Sequence, residues 1–258
     1  MTALNAIASG NGPETIVLVH GFAGCAEMWR PVMRLLPKSV RVIAYDLPGH
    51  AGSLDFPGAG SAKVATQAIQ DDLTRRGVAK AHFVGHSMGG AFAALLAIAS
   101  PDRVASLTLL APGGFGDEIN GRLLARYAVA RKPAEISRCL EGMFGWSSPI
   151  PDETIEILAK MRAKRRQVDF LAGLASKIAR NGKQGAIPRE QLATLTMPVA
   201  VLWGTLDGVL PYHQSQDLPP GFTLHTAPAI GHMLGEEVPE LVAGVILATA
   251  AAASATAR

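Results

Sequence analysis

The stretch "FVGHSMGGAFAALLA" (Phe83–Ala97) decides the fold. It opens as an apolar strand-like run and closes as an Ala- and Leu-rich helical one. Between the two, Gly85-His86-Ser87-Met88-Gly89 sets one hydroxyl among glycines, and Gly90 adds a third. A turn that only reversed the chain would not need this crowding. G-x-S-x-G between a strand and a helix predicts a sharp, strained elbow that lifts a serine Oγ clear of a sheet. The positions two before and two after the serine then pass too close to neighbouring backbone to carry a side chain. A helix starting at Met88 would aim its free N–H groups and positive dipole end at the hydroxyl.

Outward from the elbow, short apolar runs alternate with helical patterns. That alternation predicts an α/β fold: a mostly parallel, doubly wound sheet with helices on both faces. The predicted strands are "TIVLVHG" (Thr15–Gly21), "RVIAYDLPGH" (Arg41–His50, running into a loop), "AHFVGHS" (Ala81–Ser87), "VASLTLLAP" (Val104–Pro112), "MPVAVLWG" (Met197–Gly204) and the start of "GFTLHTAPAIGH" (Gly221–His232). Helices are predicted near Ala26–Leu36, over "AKVATQAIQDDLTRRG" up to Gly77, and from Met88 to about Ala99. After Pro112 the strand rhythm stops and a helical pattern punctuated by Gly and Pro takes over. In "PDETIEILAKMRAKRR" (Pro151–Arg166) acids fill the first turn and bases the last, as a helix dipole favours. The expected organisation is a core of residues 1–112 and 191–258, interrupted by a helical cap over 113–190.

The 258 residues suffice for a full hydrophobic core, and 48% apolar with 17% charged residues is ordinary globular composition. Cys25 and Cys139 have no metal or redox spacing and read as reduced thiols of a cytoplasmic protein. The first fourteen residues lack the pattern of a secretory signal. "LVAGVILATAAAA" (Leu241–Ala253) falls short of the ~18–20 residues of a membrane span and reads as a C-terminal helix packed on the core with a frayed tail. Residues 113–190 hold 14 Lys and Arg against 9 Asp and Glu, a net of +5, whereas the whole chain is +3, so the basic excess is confined to the insertion. With no aromatic interleaving and no DNA-binding motif, no nucleic-acid partner is expected. The absence of HExxH, P-loop and dinucleotide motifs gives an expectation of no metal and no cofactor.

A serine hydroxyl is a nucleophile at neutral pH only beside a base. Of seven histidines, His232 follows the last strand, where active groups of a parallel sheet gather, with Gly231 letting the loop bend. His82 and His225 lie at the start of a strand or inside one, His213 opens a helix, and His86 is expected to face away from the site. The imidazole needs a carboxylate to fix its tautomer. Asp207, in a Gly-flanked loop just past a strand, is the candidate, with Asp117 a distant second. The N–H groups of Met88 and of Phe22, in the loop after the first core strand, would hold the developing oxyanion. Losing one such donor costs ~10²–10³ in rate.

The blocks "LVHGFAGCAEMWRPVMRLL", "VIAYDLPGHAGS", "FVGHSMGGAFA", "SPDRVASLTLLAP", "VLWGTLDGVLP" and "IGHMLGEEVPE" together resemble, in order, those of the α/β-hydrolase superfamily over about two thirds of the chain. The resemblance implies Ser87 as nucleophile, His232 as general base and acid, Asp207 as its orienter, and Phe22 and Met88 as oxyanion donors. It also implies that 113–190 is the superfamily's helical cap. The sequence departs from the pattern at Ala51, where relatives usually carry glycine. Serine at position 87, in place of the aspartate of epoxide hydrolases and dehalogenases, argues against those activities. The look is that of the small cap-bearing members: esterases, C–C bond hydrolases and perhydrolases. "LLAPGGFGDEING" (Leu109–Gly121) also resembles the hydrolase-like domain of acetoin-dehydrogenase acyltransferase components, without the lipoyl domain that accompanies it there.

Under the cap, Met143, Phe144, Trp146, Phe170 and Leu174 are the candidate pocket-lining side chains, although each also reads as packing within the cap. Arg162, Lys164, Arg165 and Arg166 read as a solvated helix end, or as an attraction for an anionic or carrier-bound acyl substrate. The leading expectation is a serine hydrolase of a small ester, lactone or thioester. The alternatives are a C–C bond hydrolase of a vinylogous diketone acid and a non-catalytic ligand-binding protein on the same fold.

Overall fold

The apolar runs condense into one seven-stranded sheet of order β1-β3-β2-β4-β5-β6-β7. The strands are β1 (Ala6–Ser9), β2 (Thr15–Val19), β3 (Arg41–Tyr45), β4 (Ala81–His86), β5 (Val104–Leu110), β6 (Val199–Gly204) and β7 (Phe222–Ala227). The computed structural model describes residues 3–256. Only β1 runs antiparallel, pairing Ala6 with Tyr45, and it caps the edge beside β3. Sequence reading missed it, because "AIAS" is four residues long with no alternation to mark it. β2, β4 and β6 are buried almost throughout, as strands covered on both faces must be.

The helices are α1 (Arg30–Leu35), α2 (Ala62–Arg75), α3 (Met88–Ala99), α4 (Gly121–Val129), α5 (Pro133–Leu140), α6 (Asp152–Met161), α7 (Arg165–Ile178), α8 (Arg189–Leu192), α9 (Leu234–Glu237) and α10 (Pro239–Thr256). Parallel crossovers are right-handed. The step from β2 to β3 runs one way across the sheet, and those from β3 to β4 and from β4 to β5 run the other way, so α1 must lie opposite α2 and α3. The packing agrees: α1 contacts α10, whereas α3 contacts α2 and α8. α2 shows how its sequence dictates this. It buries Ala65, Ala68, Ile69, Asp72 and Leu73, the i, i+3, i+4 stripe of a one-sided helix, and Ser61 caps its first turn through Val64 N. α3 is apolar on every side because it sits between the sheet and other helices. α10 stays helical through Thr256 where a frayed tail was expected; residues 257–258 lie outside the described part.

α4 to α7 lie between β5 and β6, with α4 packed on α7 and α5 on α6. The reversal of winding falls between β2 and β4. Such a switch point opens a crevice beyond the carboxyl ends of the strands. The loops leaving β2 and β4 carry Phe22 and Ser87, so topology alone puts them side by side.

Candidate active site

Ser87 holds φ 53° and ψ −119°, a left-handed conformation that costs roughly 1–3 kcal/mol in a residue with a Cβ. Its hydroxyl makes no cap hydrogen bond although it begins α3, so a residue type that normally caps a helix is held back from doing so. The flanking glycines are obligatory. A Cβ on Gly85 would lie 2.4 Å from Gly89 O, and one on Gly89 would lie 2.3 Å from Val19 O. Among the described residues, the N–H groups of Phe22 and Met88 find no protein acceptor, which leaves both available to an oxyanion. Phe22 and Ser87 line the same cavity.

His232 lines that cavity too, and its Nδ1–H donates to Asp207 Oδ2 at 2.7 Å. The other carboxylate oxygen accepts the Val209 and Leu210 N–H groups, each at 2.8 Å, so the Asp207 loop is wrapped around its own side chain. The Asp207 side chain is 0% exposed. With Nδ1 committed as donor, the imidazole keeps Nε2 as its proton-accepting nitrogen. The structure therefore brings Ser87, His232, Phe22 and Met143 to one cavity, with Asp207 behind the histidine. Asp117, the alternative acid, is exposed and paired with Lys183 Nζ at 2.7 Å.

Gly231 passes close to the chain after α5, since a Cβ there would lie 2.3 Å from Met143 O. Several expectations are corrected. His86 does not face away. It lines the cavity, stands with its ring centroid 4.8 Å from that of His232, and donates from Nε2 to His232 O at 2.8 Å. Burial and the neighbouring His232 push its pKa down to about 3, so it stays neutral and serves as a strut for the histidine loop. Of the pocket candidates, Met143 lines the cavity and the other four do not. Trp146 is 89% exposed on the α5–α6 connection, Phe144 is buried behind the histidine loop, and Leu174 is buried in the hydrophobic core on α7, the helix that packs on α4. Phe170 stacks edge-on to His50 at 5.7 Å and covers Gly49. Arg165 and Arg166 are exposed ion-pair partners of Asp169 and Asp55, and Lys164 is exposed. Arg162, expected at a solvated helix end, is 0% exposed: its guanidinium lies 4.5 Å from the Tyr127 ring centroid and donates to Ala23 O. The departure at Ala51 is accommodated by a strained φ of 45°.

Sequence reasoning missed other parts of the site. His20 donates from Nδ1 to Gly21 O at 2.7 Å and accepts Leu47 N–H on Nε2 at 2.9 Å, fixing the loop that presents Phe22; burial lowers its pKa. Glu237 accepts Gly145 N at 2.7 Å, Gly231 N at 3.0 Å and Met233 N at 3.1 Å, tying the histidine loop to the chain after Met143. His232 N also donates to Met143 O at 2.6 Å. In sequence, Glu236 and Glu237 look alike, as two acids before a helix, and no spacing rule separates them. Cys25 is buried with its thiol pushed up to about 12, so it is no rival nucleophile. Among the described residues no cluster of side chains could hold a metal ion, and no helix is long and apolar enough to cross a membrane.

A parallel sheet with a strained serine at its switch point defines the class, a hydrolase of the α/β type. Residues 16–245 match the sequence profile of the alpha/beta hydrolase family, and the chain belongs to that family. It is 31% identical over 226 residues to the dihydrolipoyllysine-residue acetyltransferase component of the acetoin cleaving system of Cupriavidus necator, matching over 87% of this chain and 60% of that protein. The chain thus spans about three fifths of that relative's length. It is 28% identical over 216 residues to a 2-hydroxy-6-oxononadienedioate/2-hydroxy-6-oxononatrienedioate hydrolase of Cupriavidus pinatubonensis, over 79% of this chain and 74% of the other. Among solved structures, the meta-cleavage product hydrolase of Pseudomonas fluorescens IP01 superposes with a TM-score of 0.83 at 22% identity, over 95% of this chain and 93% of that one.

Proposed function

We propose that the chain is a serine hydrolase that cleaves a small carboxylic ester, lactone or thioester through an acyl-enzyme on Ser87. The observation that carries this reading is the cavity shared by the strained Ser87, Phe22 and His232, with the Phe22 and Met88 N–H groups unpartnered among the described residues and the histidine locked in one tautomer by an aspartate whose side chain is fully buried. Ser87 Oγ attacks the substrate carbonyl while His232 Nε2 takes the hydroxyl proton. Asp207 holds the resulting imidazolium, and the Phe22 and Met88 N–H groups receive the oxyanion. His232 returns the proton to the leaving alcohol or thiol, then deprotonates a water that attacks the acyl ester and releases Ser87 with the acid. Residues 113–190 act as the cap, with Met143 meeting the substrate. The partner is a small acyl compound in the cytoplasm.

A panel of short- and medium-chain esters, lactones and thioesters, run on wild type and Ser87→Ala, tests the reading. At least one member should be turned over, with the variant about 10⁴- to 10⁶-fold slower. Activity that survived in Ser87→Ala would overturn it. The likeness to a 2-hydroxy-6-oxononadienedioate/2-hydroxy-6-oxononatrienedioate hydrolase favours a second reading, C–C bond hydrolysis on the same site. Turnover of a ring-cleavage diketone in preference to an aryl ester would select it.

A further inference from the structure

The loop that carries Phe22 is joined to the 113–190 insertion by hydrogen bonds that start on a buried cation. Arg162, at the carboxyl end of α6, is 0% exposed. Its guanidinium donates to two backbone carbonyls, Leu158 O at 3.2 Å and Ala23 O at 3.3 Å, and has no carboxylate partner among the described residues. Ala23 holds φ 56°, a left-handed conformation that favours glycine. It sits third in the turn Gly21–Gly24, which the Gly24 N–H closes on Gly21 O at 3.2 Å; a positive φ at that place normally calls for glycine. His20 Nδ1 donates to the same Gly21 O at 2.7 Å. From α4, the Tyr127 ring lies 4.5 Å from the Arg162 guanidinium and edge-on to the Phe22 ring at 6.5 Å.

Two peptide planes turn these bonds into one chain. The Ala23 carbonyl, which accepts from Arg162, belongs to the same peptide as the Gly24 N–H. The Gly21 carbonyl, which accepts from Gly24, belongs to the same peptide as the Phe22 N–H. A peptide is planar and stiff, so fixing one end aims the other. A hydrogen bond on its carbonyl also polarises its N–H. We infer that Arg162 is a positioning residue of the oxyanion hole, orienting and polarising the Phe22 N–H through the Ala23–Gly24 and Gly21–Phe22 peptides. This rests on the serine-hydrolase reading and adds to it a cap residue on which the rate depends. A cation at the head of the chain draws electron density in the direction in which an oxyanion at its tail supplies it. Full burial keeps solvent from screening that charge, and the Tyr127 face holds it in place.

The test compares the ester that wild type turns over fastest with its thionoester, in which C=S replaces C=O. Sulfur is the weaker hydrogen-bond acceptor, so the thionoester gains less from the hole and loses less when the hole is impaired. In Arg162→Met, kcat on the ester should fall by about 10- to 10²-fold with KM within about threefold, and the preference for ester over thionoester should fall at least about fivefold. Amide exchange of Gly24 should quicken by about tenfold or more relative to that of Leu109, buried in β5. The exchange arm needs no turnover and separates the two ideas. Quickened Gly24 exchange in a protein that hydrolyses no ester would sink the serine-hydrolase reading and leave the hydrogen-bond chain standing. Ester turnover whose preference over the thionoester changes less than twofold would overturn the positioning role alone, whatever the change in stability. Arg162→Lys carries the comparison should Arg162→Met fail to fold. It keeps a cation but not the guanidinium fork, and its preference should fall at least about threefold.

Discussion

Glu236, which lines the cavity from α9, reports on its surroundings through pH. Burial and the adjacent Glu237 carry its pKa from the ordinary 4.5 up to about 8. Below pH 4.5 the carboxyl is protonated in folded and unfolded chain alike. Between 4.5 and 8 the unfolded chain gives up a proton that the folded chain retains, so unfolding gains ground as pH rises through that window. The melting temperature of wild type should therefore fall more from pH 5 to pH 8 than that of Glu236→Gln, which has no proton to lose; parallel melting curves would contradict the assignment. Asp207 makes a second point at this scale. Asp207→Asn keeps the loop bonds to Val209 and Leu210 but offers His232 the wrong tautomer, and kcat should drop by about 10⁴. Ser87, His232 and Asp207 were legible in the sequence because each follows a strand end in a glycine-marked loop. His20 and His86 were not, because what makes each of them matter comes from a residue far along the chain: Leu47 and His232.

At the scale of elements, the loop bearing His232 is held from outside. Its backbone meets Met143 through a 2.6 Å hydrogen bond, Glu237 bridges it to Gly145, and His86 supports its carbonyl. The helices between β5 and β6 are thereby fastened to the catalytic histidine of the proposed mechanism, at the carboxyl end of α5. Glu237→Ala removes the acceptor for three N–H groups at once. A loss of about 1–3 kcal/mol in chemical denaturation is expected, with kcat falling more than KM changes, because the base is displaced while the cavity wall remains. An unchanged kcat would show that the loop holds its position without the bridge. Here the sequence was legible in part. The acids marked the start of α6, but the bases did not mark its end: the helix stops at Met161, Arg165 and Arg166 open α7, and Arg162 lies over Tyr127, since helical periodicity carries no information about which partner covers the last turn. Trp146 failed as a pocket residue for the same reason: an aromatic in a Gly- and Pro-rich connection has no periodicity to say which way it points.

For the whole molecule, the order of strands does most of the positioning. The five strands β2 to β6 and the break in rhythm after Pro112 were readable because strands covered on both faces leave unbroken apolar runs, whereas β7, a largely exposed edge strand, was marked by its aromatic and β-branched residues. β1 was not, since an edge strand of four residues leaves no such trace. Once β2 sends the chain one way and β4 the other, the Phe22 and Ser87 loops must share a crevice, and the loops after β6 and β7 bring Asp207 and His232 to the same edge. In the proposed mechanism these four loops together make Ser87 a nucleophile. Intact-mass measurement after treatment with a fluorophosphonate tests it most directly. Wild type should gain a single adduct on Ser87, His232→Ala should react at least about 10²-fold more slowly in keeping with the loss of its base, and Ser87→Ala should gain none. An unmodified wild type, or an adduct that persists in Ser87→Ala, would rule out Ser87 as the nucleophile.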